Sequence, residues 1–242
     1  MCKVIISALL ITIFYSASGA ITSNTFKPCK LPNRDCLDNL INILRPLIIG
    51  GIPEMEVESS DPMSVEEIVG DVSGFKYKLS NSTWIGYSNC VQTNMTVNEA
   101  ITKIEYDVNC PSLILSGKYE MSGQIITLPV EGHGDYKIIT GKYQLHIASD
   151  FMTTKDASGK SHLSLKSLKI KAVALTPTHF DFKNMFNGNQ EKSDEFHKFM
   201  HENWKEISDS FDSPIFYTCI GKVANNTNRF FQNVPLEDFI LL

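Results

Sequence analysis

Few side chains in this 242-residue chain are spaced for catalysis. His197 and His201 lie four residues apart, on one face of a helix, where two imidazoles can share a metal ion. The residue after His197 is a lysine rather than the glutamate of an HExxH site, and no third ligand is evident. The pair therefore reads as packing or solvated surface. Gly132-His133-Gly134-Asp135 lacks both the GxGxxG pattern and the lysine of a phosphate loop, so it reads as a turn. No GxSxG elbow is present, and the Ser, His and Asp residues form no recognisable triad. The expectation is a protein that is not an enzyme and takes no metal or other cofactor.

The cysteines and asparagines point to a compartment instead. Met1-Cys2-Lys3 is a short basic start, Val4 to Tyr15 is apolar, and Ser18-Gly19-Ala20 supplies small residues for cleavage. Residues 1–20 thus read as a signal peptide and 21–242 as one secreted domain. The apolar run is too short to span a bilayer, so no stable membrane insertion is expected. Five cysteines follow: Cys29, Cys36, Cys90, Cys110 and Cys219. None has the repeated CxxC spacing of a zinc site, and an odd number leaves at least one unpaired. Cys29 and Cys36 close a short loop around Pro32 and are the first pair expected. Cys90 can join Cys110 if their strands are neighbours. Sequons at Asn81, Asn94 and Asn225 agree with secretion. A net charge of −5 argues against nucleic acid as a partner.

Three kinds of element frame these residues. Asn33 can cap a helix that begins at Arg34, carries Leu37, Leu40, Ile41, Leu44 and Ile48 on one face, and stops at Gly50-Gly51. Pro46 should kink or shorten its last turn. From Phe75 the apolar period becomes two, through segments around Tyr77, Tyr106, Tyr119, Val130, Tyr143 and Leu165. The parity switch from Leu163 and Leu165 to Leu168 and Ile170 predicts a bulge near Lys166-Ser167. The last fifty residues read as a very long helix with Phe196, Phe199, Met200, Trp204, Ile207 and Phe211 on one stripe, broken at Ser213-Pro214 and then resumed. The expectation is an α+β fold in which long, bent antiparallel strands wrap the C-terminal helix. The stripe then either packs as a solid core or lines a channel.

Several stretches carry a family likeness: KPCKLPNRDCLDNL at 27–40, LRPLIIGGIPEMEVESSDPM at 44–63, SGQIITLPVEGHGDYKI at 122–138, FKNMFNGNQEKSDEFHKFMHENW at 182–204 and NRFFQNVPLEDFI at 228–240. In that order they resemble the takeout / haemolymph juvenile-hormone-binding-protein family of insects. The resemblance implies a highly curved antiparallel sheet wrapped around a long helix, a super-roll enclosing a hydrophobic tunnel. It implies non-catalytic carriage of a lipophilic small molecule such as a juvenile-hormone-like terpenoid or a fatty acid. It also implies a Cys29–Cys36 disulfide. The second bridge of the moth hormone carriers has no counterpart here, because no cysteine lies between Cys110 and Cys219. That places the chain nearer the takeout branch.

On this reading the tunnel is lined by Phe75 and Tyr77, by Leu113, Leu115, Tyr119 and Met121, by Tyr143, Leu145 and Ile147, and by Phe196, Phe199, Met200, Trp204, Ile207 and Phe211. Tyr119, Tyr143, Tyr217 or Trp204 would orient the polar end of the ligand. The alternative is a secreted interaction protein without cargo that engages a receptor through its surface.

Overall fold

The computed structural model describes residues 27–241. The signal peptide expected at residues 1–20 lies outside them. The chain opens with a two-residue strand, β1 (Cys29–Lys30), and helix α1 (Arg34–Gly50). The Asn33 side chain caps α1 by accepting from the Cys36 N–H at 3.1 Å. Gly51 ends it at φ +94°, and a Cβ there would meet the Ser59 nitrogen at 3.0 Å, so glycine suits both the backbone and the space. Of the two effects expected of Pro46, the shortening does not occur, since α1 runs on to Gly50. Both Pro46 and Asn42, whose carbonyl loses its partner, are exposed, so water can satisfy the freed oxygen.

Strands β2 (Met63–Val72) and β3 (Phe75–Ile85) form a hairpin through Ser73-Gly74, both at positive φ, which matches the twist of the flanking strands. β4 (Val91–Val97), β5 (Lys103–Cys110), β6 (Ile114–Ile125), β7 (Leu128–Ile139), β8 (Tyr143–Lys155), β9 (Ser161–Ala174) and β10 (His179–Phe182) follow. They assemble into a five-stranded sheet ordered β10-β7-β6-β3-β2 and a four-stranded sheet ordered β4-β5-β8-β9, both antiparallel. The expected bulge is present: Asp150 pairs with Ser167 and Phe151 with Leu165, leaving Lys166 without an opposite residue. A second bulge at Asn81-Ser82 bends β3 over Gly117, where a Cβ would lie 2.7 Å from the Ser80 carbonyl. Only glycine permits that approach.

The C-terminal helix is broken, but not where the sequence suggested. α2 (Gln190–Glu202) gives way to α3 (Trp204–Asn233) at Asn203, and α3 runs straight through Pro214. Asn203 donates its side-chain amide to the Phe199 carbonyl at 2.9 Å, competing with the backbone and ending α2 locally. A last strand, β11 (Ile240–Leu241), pairs in parallel with β1.

The buried side chains fall into two clusters. One fills the space between the five-stranded sheet, the inner face of β8, α2 and the first half of α3. The other joins α1, the far ends of β5, β8 and β9, the second half of α3 and the C-terminal tail. Asn226 fixes the second half of α3 to the chain after α1, donating to the Glu58 carbonyl at 2.9 Å and reaching the Ser60 hydroxyl at 3.1 Å. Replacing Asn226 with alanine leaves those buried acceptors unpaired and should cost about 1–3 kcal/mol, read as a lower urea midpoint with an unchanged slope.

Candidate ligand cavity

Cys29–Cys36 and Cys90–Cys110 are both bridged. The second joins residues at the same end of the β4–β5 ladder, next to the Val91–Asn109 pair. Cys219, buried on α3, keeps a free thiol whose pKa burial pushes far up, so it makes a poor nucleophile. The sequon residues Asn81, Asn94 and Asn225 are all exposed, the first two at positive φ. His197 accepts from the Phe182 N–H at 3.0 Å and donates to the Ser193 carbonyl at 2.8 Å, so both ring nitrogens are committed to pinning α2 against β10. Among the described residues, no group of three or more His, Cys, Asp or Glu side chains is arranged to hold a metal.

Of the expected tunnel residues, Phe75, Tyr77, Leu113, Leu115, Tyr119, Met121, Tyr143, Leu145, Ile147, Phe196, Met200, Ile207 and Phe211 are brought together in the first cluster. Phe199 and Trp204 pack at its edge. These rings fill the space themselves. Phe211 lies 4.6 Å from Tyr77 and 5.5 Å from Phe75 between ring centres. The void left beside Leu113, Leu115, Tyr143 and Phe211 is about 20 Å³, room for one water. The polar anchors expected among them are committed elsewhere. Tyr119 donates to the Lys183 carbonyl at 2.7 Å, and Tyr143 donates to Asp212 Oδ1 at 2.8 Å. Tyr217 is exposed, and Trp204 is half-buried.

Asp212 is the one strongly perturbed acid of this core. Burial raises its carboxyl to about 7, with Asp209 adding to the rise and the Tyr143 hydroxyl opposing it. Its Oδ2 is buried without a partner.

The larger apolar space lies at the other end of α3, lined mainly by the second cluster and by Ile49, Tyr87 and Val223 of the first. It is a cavity of about 150 Å³. Leu40, Leu44 and Ile48 of α1 form one wall, Val97, Ile104 and Phe151 of the four-stranded sheet a second, and Val223, Ala224 and Phe231 of α3 a third. Phe239 and Ile240 of the tail also line it. None of the expected tunnel residues lines it. Its few polar groups include Arg45, Tyr87, Gln92, Tyr106, Ser149 and Thr227. The α1 stripe had been legible as an apolar face. The overlooked signal is Arg45, a cation four residues after Ile41 and three before Ile48 on that face.

No helix among the described residues is long and apolar enough to cross a membrane. The family described as haemolymph juvenile hormone binding protein matches residues 8–241. The circadian clock-controlled protein daywake of Drosophila melanogaster is 24% identical over 224 residues, covering 88% of this chain and 86% of that protein. Its Drosophila yakuba counterpart is 23% identical over the same length. The crystal structure of Takeout 1 from Epiphyas postvittana superposes with a TM-score of 0.84 at 26% identity, covering 89% of this chain and all of that one. With a helix-and-sheet fold shared across almost the whole described chain, this protein belongs to the haemolymph juvenile hormone binding protein family.

Proposed function

We propose that the protein is a secreted, non-catalytic carrier of a lipophilic small molecule, held in the cavity between α1, the four-stranded sheet and the second half of α3. Residues 1–20 direct secretion, residues 21–242 form one lipid-binding unit, and Asn81, Asn94 and Asn225 carry glycans. The observation that supports this reading is the largely apolar cavity of about 150 Å³. A space of that size matches a benzene-sized guest. A longer chain enters only if the walls yield, and the unbranched Met95 side chain is suited to doing so. Ten buried methylenes would contribute roughly 8 kcal/mol gross, the equivalent of about micromolar binding before ordering and association costs are subtracted, so a polar contact at the head of the chain has to add to it.

Native mass spectrometry of the secreted protein before and after organic extraction tests this directly. An excess mass that extraction removes is expected. Ala224→Phe projects a ring into the cavity from α3 and should abolish the excess mass while leaving the cargo-free melting temperature unchanged or higher. A bare wild-type protein that binds no hydrophobic fluorophore would instead favour a surface-acting interaction protein.

A further inference from the structure

Arg45 is a charged group on an apolar wall. One guanidinium nitrogen donates to the Tyr87 carbonyl at 2.8 Å, and another reaches the Ser88 carbonyl at 3.5 Å. The group lies 5.3 Å above the centre of the Tyr87 ring. Among the described residues no carboxylate forms an ion pair with it. A guanidinium has five N–H donors in a fork matched to a carboxylate; the two carbonyls and the Tyr87 ring use part of that capacity, and no counter-anion among the described residues uses the rest.

Two further polar side chains line the cavity from the four-stranded sheet, Tyr106 on β5 and Gln92 on β4. The Tyr106 phenol lines the cavity and lies within electrostatic reach of both Tyr87 and Arg45. Gln92 spends its amide on the Met95 sulfur at 3.8 Å, a weak acceptor. Burial raises the Tyr106 phenol, Tyr87 adds to the rise and Arg45 opposes it. The phenol is therefore a donor at any physiological pH.

The surrounding backbone is braced. Asp61 accepts from the Gly86 N–H at 3.0 Å and the Ser88 N–H at 2.7 Å, fixing the turn that presents Tyr87. The Cys90–Cys110 bridge follows directly. A rigid site needs little ordering when its ligand arrives.

We propose that Arg45, with Tyr106 and Gln92 beside it, anchors the carboxylate of a hydrophobic monocarboxylic acid whose hydrocarbon occupies the cavity. The inference rests on the carrier reading and narrows its ligand class. A neutral ester presents acceptors without charge and leaves the cation without a counter-anion, whereas a carboxylate supplies both.

The test is displacement of the neutral fluorophore N-phenyl-1-naphthylamine from the extracted full-length secreted protein at pH 7.5. The competitors are decanoic acid and methyl decanoate. The acid should bind at least about tenfold more tightly than the ester, the increment of one good charge-assisted contact. Arg45→Met should bring that ratio close to one without weakening the ester, and Arg45→Lys should recover part of it. Tyr106→Phe should weaken the acid severalfold and spare the ester. Equal affinities in the wild type, or a ratio unchanged in Arg45→Met, overturn the carboxylate assignment while leaving the carrier intact. Failure of the fluorophore and both competitors to bind removes the carrier reading, and the inference with it. If Arg45→Met does not fold, the wild-type ratio and the Tyr106→Phe variant still decide.

Discussion

Phe211→Ala will lower the unfolding free energy by about 4 kcal/mol, the range for emptying a buried aromatic site. Phe211 is 1% exposed and sits among Phe75, Tyr77, Phe180 and Phe182, with centroid distances of 4.6 to 6.2 Å. Its carbonyl also accepts from the Tyr77 hydroxyl at 3.4 Å. Those side chains come from β3, β10 and α3, so partial collapse in any one direction still leaves a void. A urea titration will show the loss as a lower midpoint. Decanoic acid affinity of the folded variant should stay within about twofold, because neither Phe211 nor any of its four ring neighbours lines the cavity and interactions without shared partners are close to additive. A folded Phe211→Ala protein that no longer binds would return the ligand to the aromatic core.

The second large effect concerns pH. Asp212 has an ordinary value of 3.8 and is raised to about 7 in the folded protein. Between those values the unfolded chain has lost the proton and the native protein has kept it, so the native state binds more protons and stability falls as pH rises. The decline begins near pH 4, is complete above about 7, and amounts to at most about 4 kcal/mol. Glu105, Asp107, Asp156 and Glu237 are shifted downward, and their contributions change below that window. The wild type should therefore melt several degrees higher at pH 5 than at pH 8. Asp212→Asn keeps an acceptor for Tyr143 and removes the charge, so its melting temperature should hardly differ between the two. If the wild type is as stable at pH 8 as at pH 5, the carboxyl is solvated.

Much of the fold was legible from local chemistry. The Asn33 cap, the Gly51 stop, the alternation in β3 and β8 and the parity switch at Lys166 each depend on neighbours in sequence, and each is present. β4 was harder to read. It mixes Val91, Gln92, Thr93, Asn94 and Met95 because it is an edge strand facing both solvent and cavity, and a bulge near Asn94 breaks its period. The helix break was misplaced because proline is the stronger local signal, yet Ser210 and Pro214 both reach solvent and the lost bond is tolerated. The cavity was not legible for a more basic reason. Apolar periodicity reports which face is withdrawn from water, and it is the same whether the opposing atoms touch or stand a few ångströms apart. Leu44 beside a void and Leu79 in solid packing look alike in a sequence.

The parallel pairing of β1 with β11 has a consequence for how the protein is made. The Cys29 N–H donates to the Phe239 carbonyl at 2.9 Å, so the tail residues that line the cavity are tied by the earliest strand of the described chain. During synthesis that strand waits, without this partner, until residues 240–241 have left the ribosome. Contacts of such long sequence separation form late in folding. The part of the lining that Phe239 and Ile240 supply is thus added late, and until then the apolar walls stand open to whatever hydrophobic molecule the assembling compartment contains.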